Sequence, residues 1–229
     1  MLHLYLLVDE SQAGLFRRRG KKQREVHSII TQQIVPGICS SLSDDYLPEH
    51  YPWSFVISSP SSRGHNTYSG AFMLRAGKGG TPSLIIIYGE APWPWLKENL
   101  QDEFPLTFWA SRILNHVPDS DVVEKNWRPL WQRVKALRRT YSALWEKLVL
   151  TSARQFKNHS QMLLRGGAQE DYRIQNRDGV EAMPWQNWPD CIEQEVGIWI
   201  WRQSRHKKIV DSQRIPLRRA EAKPPDASF

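Results

Sequence analysis

Apolar residues cluster along this chain with two different periods, and the change of period divides it. Residues 2–8 form an almost continuous apolar run, Leu2-His3-Leu4-Tyr5-Leu6-Leu7-Val8, of the length expected for a buried strand. Val26, Ile29, Ile30 and Ile34 then recur at helical spacing, and Pro36-Gly37 stops that helix. After a polar stretch from Ser40 to Pro52, strands are predicted over 53–58, 68–75 and 84–88, punctuated by Gly77-Lys78-Gly79-Gly80-Thr81-Pro82. Residues 106–116 read as a short helix ending near Pro118. The longest element runs from about Val122 to Arg165. Its apolar positions 127, 130, 134, 137, 141, 144 and 148 keep a 3–4 alternation, with Trp131 and Trp145 widening the stripe. Pro129 suits its first turn, and Gly166-Gly167 suits its end. Val196 to Trp201 closes the series as a strand.

These elements predict an α+β protein. A mixed or antiparallel sheet with one helix occupies residues 1–92, and a mainly helical region with a closing strand follows over 93–201. A basic, Pro-containing tail covers 202–229, expected to be disordered after Arg219. The sequence shows no internal repeat.

Composition narrows the class. At 229 residues and a mean hydropathy of −0.56, the chain can bury a sizeable core beneath a polar surface. No apolar run approaches the ~20 residues of a membrane span. The apolar start lacks a preceding basic region and meets Asp9-Glu10 at once, which favours a strand over a signal peptide. Cys39 and Cys191 stand far apart with no CxxC partner, so a reducing cytoplasm is expected.

Charge changes the picture most. The net charge is +7, and of eleven tryptophans Trp127, Trp131, Trp145, Trp199 and Trp201 fall within the basic segments. Indole rings stack on bases while Lys and Arg neutralise phosphates, so nucleic acid is the partner this pairing points to. Arg17, Arg18, Arg19, Lys21, Lys22 and Arg24 form a polybasic lead into the first helix. Arg128, Gln132, Lys135 and Arg139 repeat at i, i+4, i+7 and i+11 on the long helix, with Arg138 alongside and no acid before Glu146. In the closing strand Val196, Ile198 and Ile200 alternate with Gly197, Trp199 and Trp201, and the chain continues into Arg202, Arg205, Lys207 and Lys208. If the aliphatic face alone is core, Trp199 and Trp201 form a stacking platform; if helices cover both faces, they are core.

Catalytic patterns are sparse. The glycine loop at 77–81 lacks the GxxxxGK[ST] spacing and precedes its strand, which excludes a nucleotide-hydrolysing loop. No GxSxG and no paired histidines occur, so neither a serine hydrolase nor a metal site is predicted, and no cofactor is expected. His27, next to Ser28 and just after the polybasic segment, is the one candidate general base, able in principle to deprotonate a ribose 2′-hydroxyl.

Residues 52–66, Pro52-Trp53-Ser54-Phe55-Val56-Ile57-Ser58-Ser59-Pro60-Ser61-Ser62-Arg63-Gly64-His65-Asn66, resemble a segment of the large-subunit-like proteins of type IV CRISPR effector complexes. The basic helical second half is compatible with that family, but the N-terminal zinc-finger cysteines of its members are absent here. The strand-then-helix opening with His27 is similar to CRISPR RNA-processing endoribonucleases, without their glycine-rich C-terminal loop. Both likenesses imply a cytoplasmic ribonucleoprotein of antiviral defence that contacts RNA or DNA. The expectation is a non-catalytic nucleic-acid-binding subunit with protein partners and no membrane. The alternatives are a metal-independent endoribonuclease using His27 and a Trp-rich protein–protein adaptor.

Overall fold

A computed structural model describes residues 3–10, 21–36, 52–59, 66–76, 82–118, 121, 126–147, 179–204 and 207–217. It is α+β. Six antiparallel strands, β1 (His3–Glu10), β2 (Trp53–Ser59), β3 (Asn66–Ala76), β4 (Pro82–Pro92), β5 (Gly197–Gln203) and β6 (Ile209–Pro216), form one sheet in the order β1-β4-β3-β2-β5-β6. Strands β2, β3 and β4 run as a meander, with Phe55 opposite Gly70 and Gly70 opposite Tyr88. On the other side of β2 lies β5, with Val56 opposite Trp199 and Ser54 opposite Trp201. A strand from the C-terminal third therefore sits against the first strand of the meander.

Helices pack on both faces. One face carries α1 (Lys21–Ile29), which continues through a π-helical turn at Ile30–Ile34. Val26, Ile29, Ile30 and Ile34 bury there against Phe55, Phe72, Ile86, Tyr88, Ile198 and Ile200. The 26/29/30/34 spacing read from the sequence is the buried stripe of this element. On the opposite face lie α2 (Trp93–Gln101), α3 (Leu106–Asn115) and α4 (Arg128–Lys147). There α3 and α4 bury Leu106, Trp109, Ile113, Leu130, Val134 and Leu137 against Leu4, Met73, Ile85 and Ile87. A third cluster joins Leu96, Leu100 and Ile192, the last on the short α5 (Cys191–Gln194), to Val56, Trp199 and Trp201.

Because both faces are covered, the central strands carry near-continuous apolar runs instead of a clean alternation, as in Phe55-Val56-Ile57 and Leu84-Ile85-Ile86-Ile87-Tyr88. Small residues make room where large ones cross. Buried Ser54 faces Trp201 across the β2–β5 ladder, and its Oγ lies 3.4 Å from the Thr107 carbonyl oxygen that accepts from it. Asn99 links two helices, since its Oδ1 accepts the Leu106 N–H at 3.0 Å and so satisfies the first turn of α3 from outside that helix.

Two elements differ from the sequence expectation. Helix α2 begins directly at the end of β4, with Pro94 in its first turn where the lost N–H costs nothing. Strand β6 occupies part of the segment expected as a basic tail. It pairs along its length with β5, and Ile209 packs among Trp199 and Trp201. The region beyond about 147 expected to continue the long helix lies outside the described residues.

The tightest approach in the sheet is at Gly70. A Cβ there would collide with the Ile87 carbonyl oxygen and sit 2.6 Å from the Tyr88 Cα, both backbone atoms of β4. Gly70→Ala is expected to cost about 2–3 kcal/mol by overpacking, a fall in melting temperature of roughly 5–10 °C. A thermal melt that matches the wild type would refute the close approach.

Candidate nucleic-acid interface

Helix α4 has three kinds of surface. Leu130, Val134 and Leu137 are its buried stripe, docked on α3 and β1. On one flank Arg133 is drawn inward, its Nη1 donating to the His116 carbonyl oxygen at 2.9 Å just beyond the end of α3. That contact complements the negative end of the α3 dipole. The remaining surface is cationic. Arg128, Gln132, Lys135, Arg138 and Arg139 are all exposed, as the sequence spacing predicts, and no acidic residue stands among them on the helix before Glu146. The first turn of α4 also holds no acid.

Trp131 breaks the expectation that it widens the buried stripe. It is 38% exposed, and the Lys135 ammonium lies 5.5 Å from its ring centroid. The signal was available in the helix geometry. At 100° per residue Trp131 projects about 60° from Arg128 but about 100° from Leu130, so it belongs to the rim of the cationic face.

Several other predicted contacts are corrected. Trp199 is 1% exposed and Trp201 is fully buried, so neither can receive a base. Trp185 and Trp188 cover Trp201 edge to face at centroid distances of 6.2 and 5.4 Å, with α2 beside them. Alternation along β5 is real, but both of its faces are core. Arg202 is likewise buried. Its guanidinium lies 4.1 Å over the Trp53 ring, and Nη2 stands 3.7 Å from Asp211 Oδ2. Lys207 pairs with Glu103 Oε1 at 3.0 Å and sits 3.7 Å from the Phe104 ring centroid. Its backbone has φ of 65°, at the tip of the β5–β6 connection. Lys208 is half-buried, and its N–H donates to Ser204 Oγ at 3.2 Å. Arg202 and Lys207 are thus engaged within the fold through their charged groups, whereas the Lys208 contact is made by its backbone.

Arg17, Arg18, Arg19 and Arg205 lie outside the described residues. Lys21, Lys22 and Arg24 fall within α1, on the far side of the sheet from α4. The described part of the N-terminal basic segment is therefore not brought together with α4. His27 is half-buried on α1. Its carbonyl oxygen accepts from Thr31 Oγ1 at 2.8 Å, while Ser28 Oγ donates to Gln32 Oε1 at 2.9 Å. Ser28 is thus engaged along its own helix.

Among the described residues no three of His, Cys, Asp or Glu gather at metal-binding distance. The hollow bounded by Pro52, Phe108, Ser111, Arg112, Asn115, Gln203 and Ser204 has room for about one water molecule. No described helix is long and apolar enough to cross a membrane. Comparison with protein-family models, with curated proteins and with solved structures finds no match to this chain.

The reassignment of the β5 indoles carries a direct test. Trp201→Ala is expected to cost about 3–5 kcal/mol of stability, the usual range for emptying a buried tryptophan site. Chemical denaturation measures it. An unchanged midpoint together with weakened nucleic-acid binding would restore Trp201 to the interface.

Proposed function

We propose that this protein binds nucleic acid without cleaving it, through the exposed face of α4. The observation that carries the reading is the single-sign surface of Arg128, Lys135, Arg138 and Arg139, rimmed by an exposed tryptophan and with no acid between residues 128 and 139. A solvated helix face normally mixes charges, because like charges at i,i+3 and i,i+4 repel. A polyanion offsets that repulsion and gains affinity by releasing its condensed counterions. The finer placement is a cytoplasmic, non-catalytic subunit of a CRISPR-type ribonucleoprotein that contacts guide RNA or target DNA and other subunits. Its support is the likeness of residues 52–66. Of these, Trp53–Ser59 is the central strand β2, so that likeness concerns the core and not the α4 surface.

Replacing Arg128, Lys135 and Arg139 together with Gln tests the reading. Affinity for labelled RNA or DNA should fall, and the slope of log K against log salt should lose about 2–3 units, near −0.7 to −0.9 for each phosphate contact removed. The melting temperature should move by no more than about 3 °C, since exposed charges add little to folding. A flat salt response in the wild type, or unchanged binding in the variant, would sink the proposal.

The endoribonuclease reading makes a separate prediction. Positioned acid–base catalysis contributes roughly 10²–10⁴-fold, so a catalytic His27 could not be removed silently. His27→Ala is expected to leave both RNA affinity and the lengths of co-purifying RNA unchanged. Metal-independent cleavage by the wild type that vanishes in this variant would reverse the assignment.

A further inference from the structure

We propose that Trp131 is a stacking site for an unpaired base, so that the strand held by α4 is single-stranded. This deepens the nucleic-acid reading and rests on it. Trp131 stands three residues after Arg128, four before Lys135 and seven before Arg138, and on a helix all three are neighbours on its own side. An indole with more than a third of its surface in water is thus ringed by cations spaced over about 15 Å of helix, ten residues at 1.5 Å each.

That arrangement matches what an unpaired strand offers, a π-face beside a phosphate. A duplex offers the phosphates but keeps its bases stacked on one another. Reaching a base face there requires unstacking a step first, and α4 holds no second exposed aromatic among its described side chains to share that cost.

The ring is not idle in the unbound protein, because the Lys135 ammonium lies over it at 5.5 Å. Magnitudes decide the competition. An exposed cation–π contact is worth only a few-fold in an equilibrium, whereas a base on an aromatic platform is worth about 5- to 150-fold. An arriving base therefore displaces the ammonium, which needs only to swing on its flexible stem to meet the adjoining phosphate.

The test compares wild type, Trp131→Ala and Trp131→Phe on four labelled probes. These are a single-stranded RNA, the single-stranded DNA of the same sequence, its duplex, and an abasic deoxyribose-phosphate strand of equal length. Trp131→Ala should weaken binding to both base-bearing single strands about 5- to 150-fold, leave duplex and abasic strand unchanged, and keep the salt slope. Trp131→Phe should recover most of the loss, because it restores an aromatic face.

Unaltered single-strand affinity in Trp131→Ala overturns the stacking site. So does an equal loss on all four probes, which would mark Trp131 as a structural support of the helix. Failure of the underlying reading looks different. In that case wild type binds none of the probes at low salt, or the Arg128, Lys135 and Arg139 triple variant binds them all as wild type does.

Discussion

Strand β5 lies between β2 and β6 with Ile198 and Ile200 in one core and Trp199 and Trp201 in the other. It ties the last third of the chain to the N-terminal meander across a long sequence separation. Closing such a loop costs little more than closing one half as long, because the entropy grows only logarithmically with length. Burying the indoles offsets it amply. At 150–250 Å² each and about 25 cal/mol per Å², either ring is worth up to roughly 4–6 kcal/mol, comparable to the whole net stability of an ordinary domain. Burial of this sheet on both faces has a functional consequence. Neither face of the central strands is open as a binding platform, and the surface that remains belongs to the outer layer of helices.

The same constraint sorts the basic residues. Where a cation borders the core, it is engaged by the fold: Arg202 over Trp53, Arg133 at the His116 carbonyl, Lys207 with Glu103 and Phe104, and Arg214 5.7 Å from the Trp199 ring. Among the described side chains, the cations left facing water as a group are those of α4. Net charge alone does not distinguish these two populations, because an arginine packed on an indole and one exposed on α4 contribute equally to +7.

Much of the fold was legible wherever burial imposes a period. The strand runs at 53–58, 68–75 and 84–88, the 106–116 helix and the 130/134/137 stripe all appear near their expected limits. What escaped did so for physical reasons. Strand β6 is an edge, and its Ile209-Val210-Asp211-Ser212-Gln213-Arg214-Ile215 mixes polar and apolar residues on both faces, so no alternation announces it. Helix α2 opens with Trp-Pro-Trp, which carries no apolar periodicity of its own. On β5 the alternation is genuine, yet a strand's period reports which residues share a face and never what covers that face. The cationic stripe of α4 was readable because it is the complement of a buried stripe. Trp131 was misassigned because large apolar residues were counted into that stripe without weighing their angular distance from its centre.

The arrangement of α4 works against its own stability, and that is the strongest physical reason to seek a partner for it. Arg128 sits at the positive end of the helix dipole, and Lys135 faces Arg138 and Arg139 at i+3 and i+4, pairs that each cost a helix about 0.2–0.5 kcal/mol. Burial of Leu130, Val134 and Leu137, at roughly 1.5–3 kcal/mol each, outweighs these penalties and holds the helix in place. A sequence shaped by folding alone gains nothing from such a face, since exchanging any of these cations for Glu would relieve repulsion. Bound phosphates would remove the same repulsion without altering the chain. The anchoring residues and the repelling ones occupy opposite sides of one helix, so the outer side can be changed without disturbing the packing beneath it.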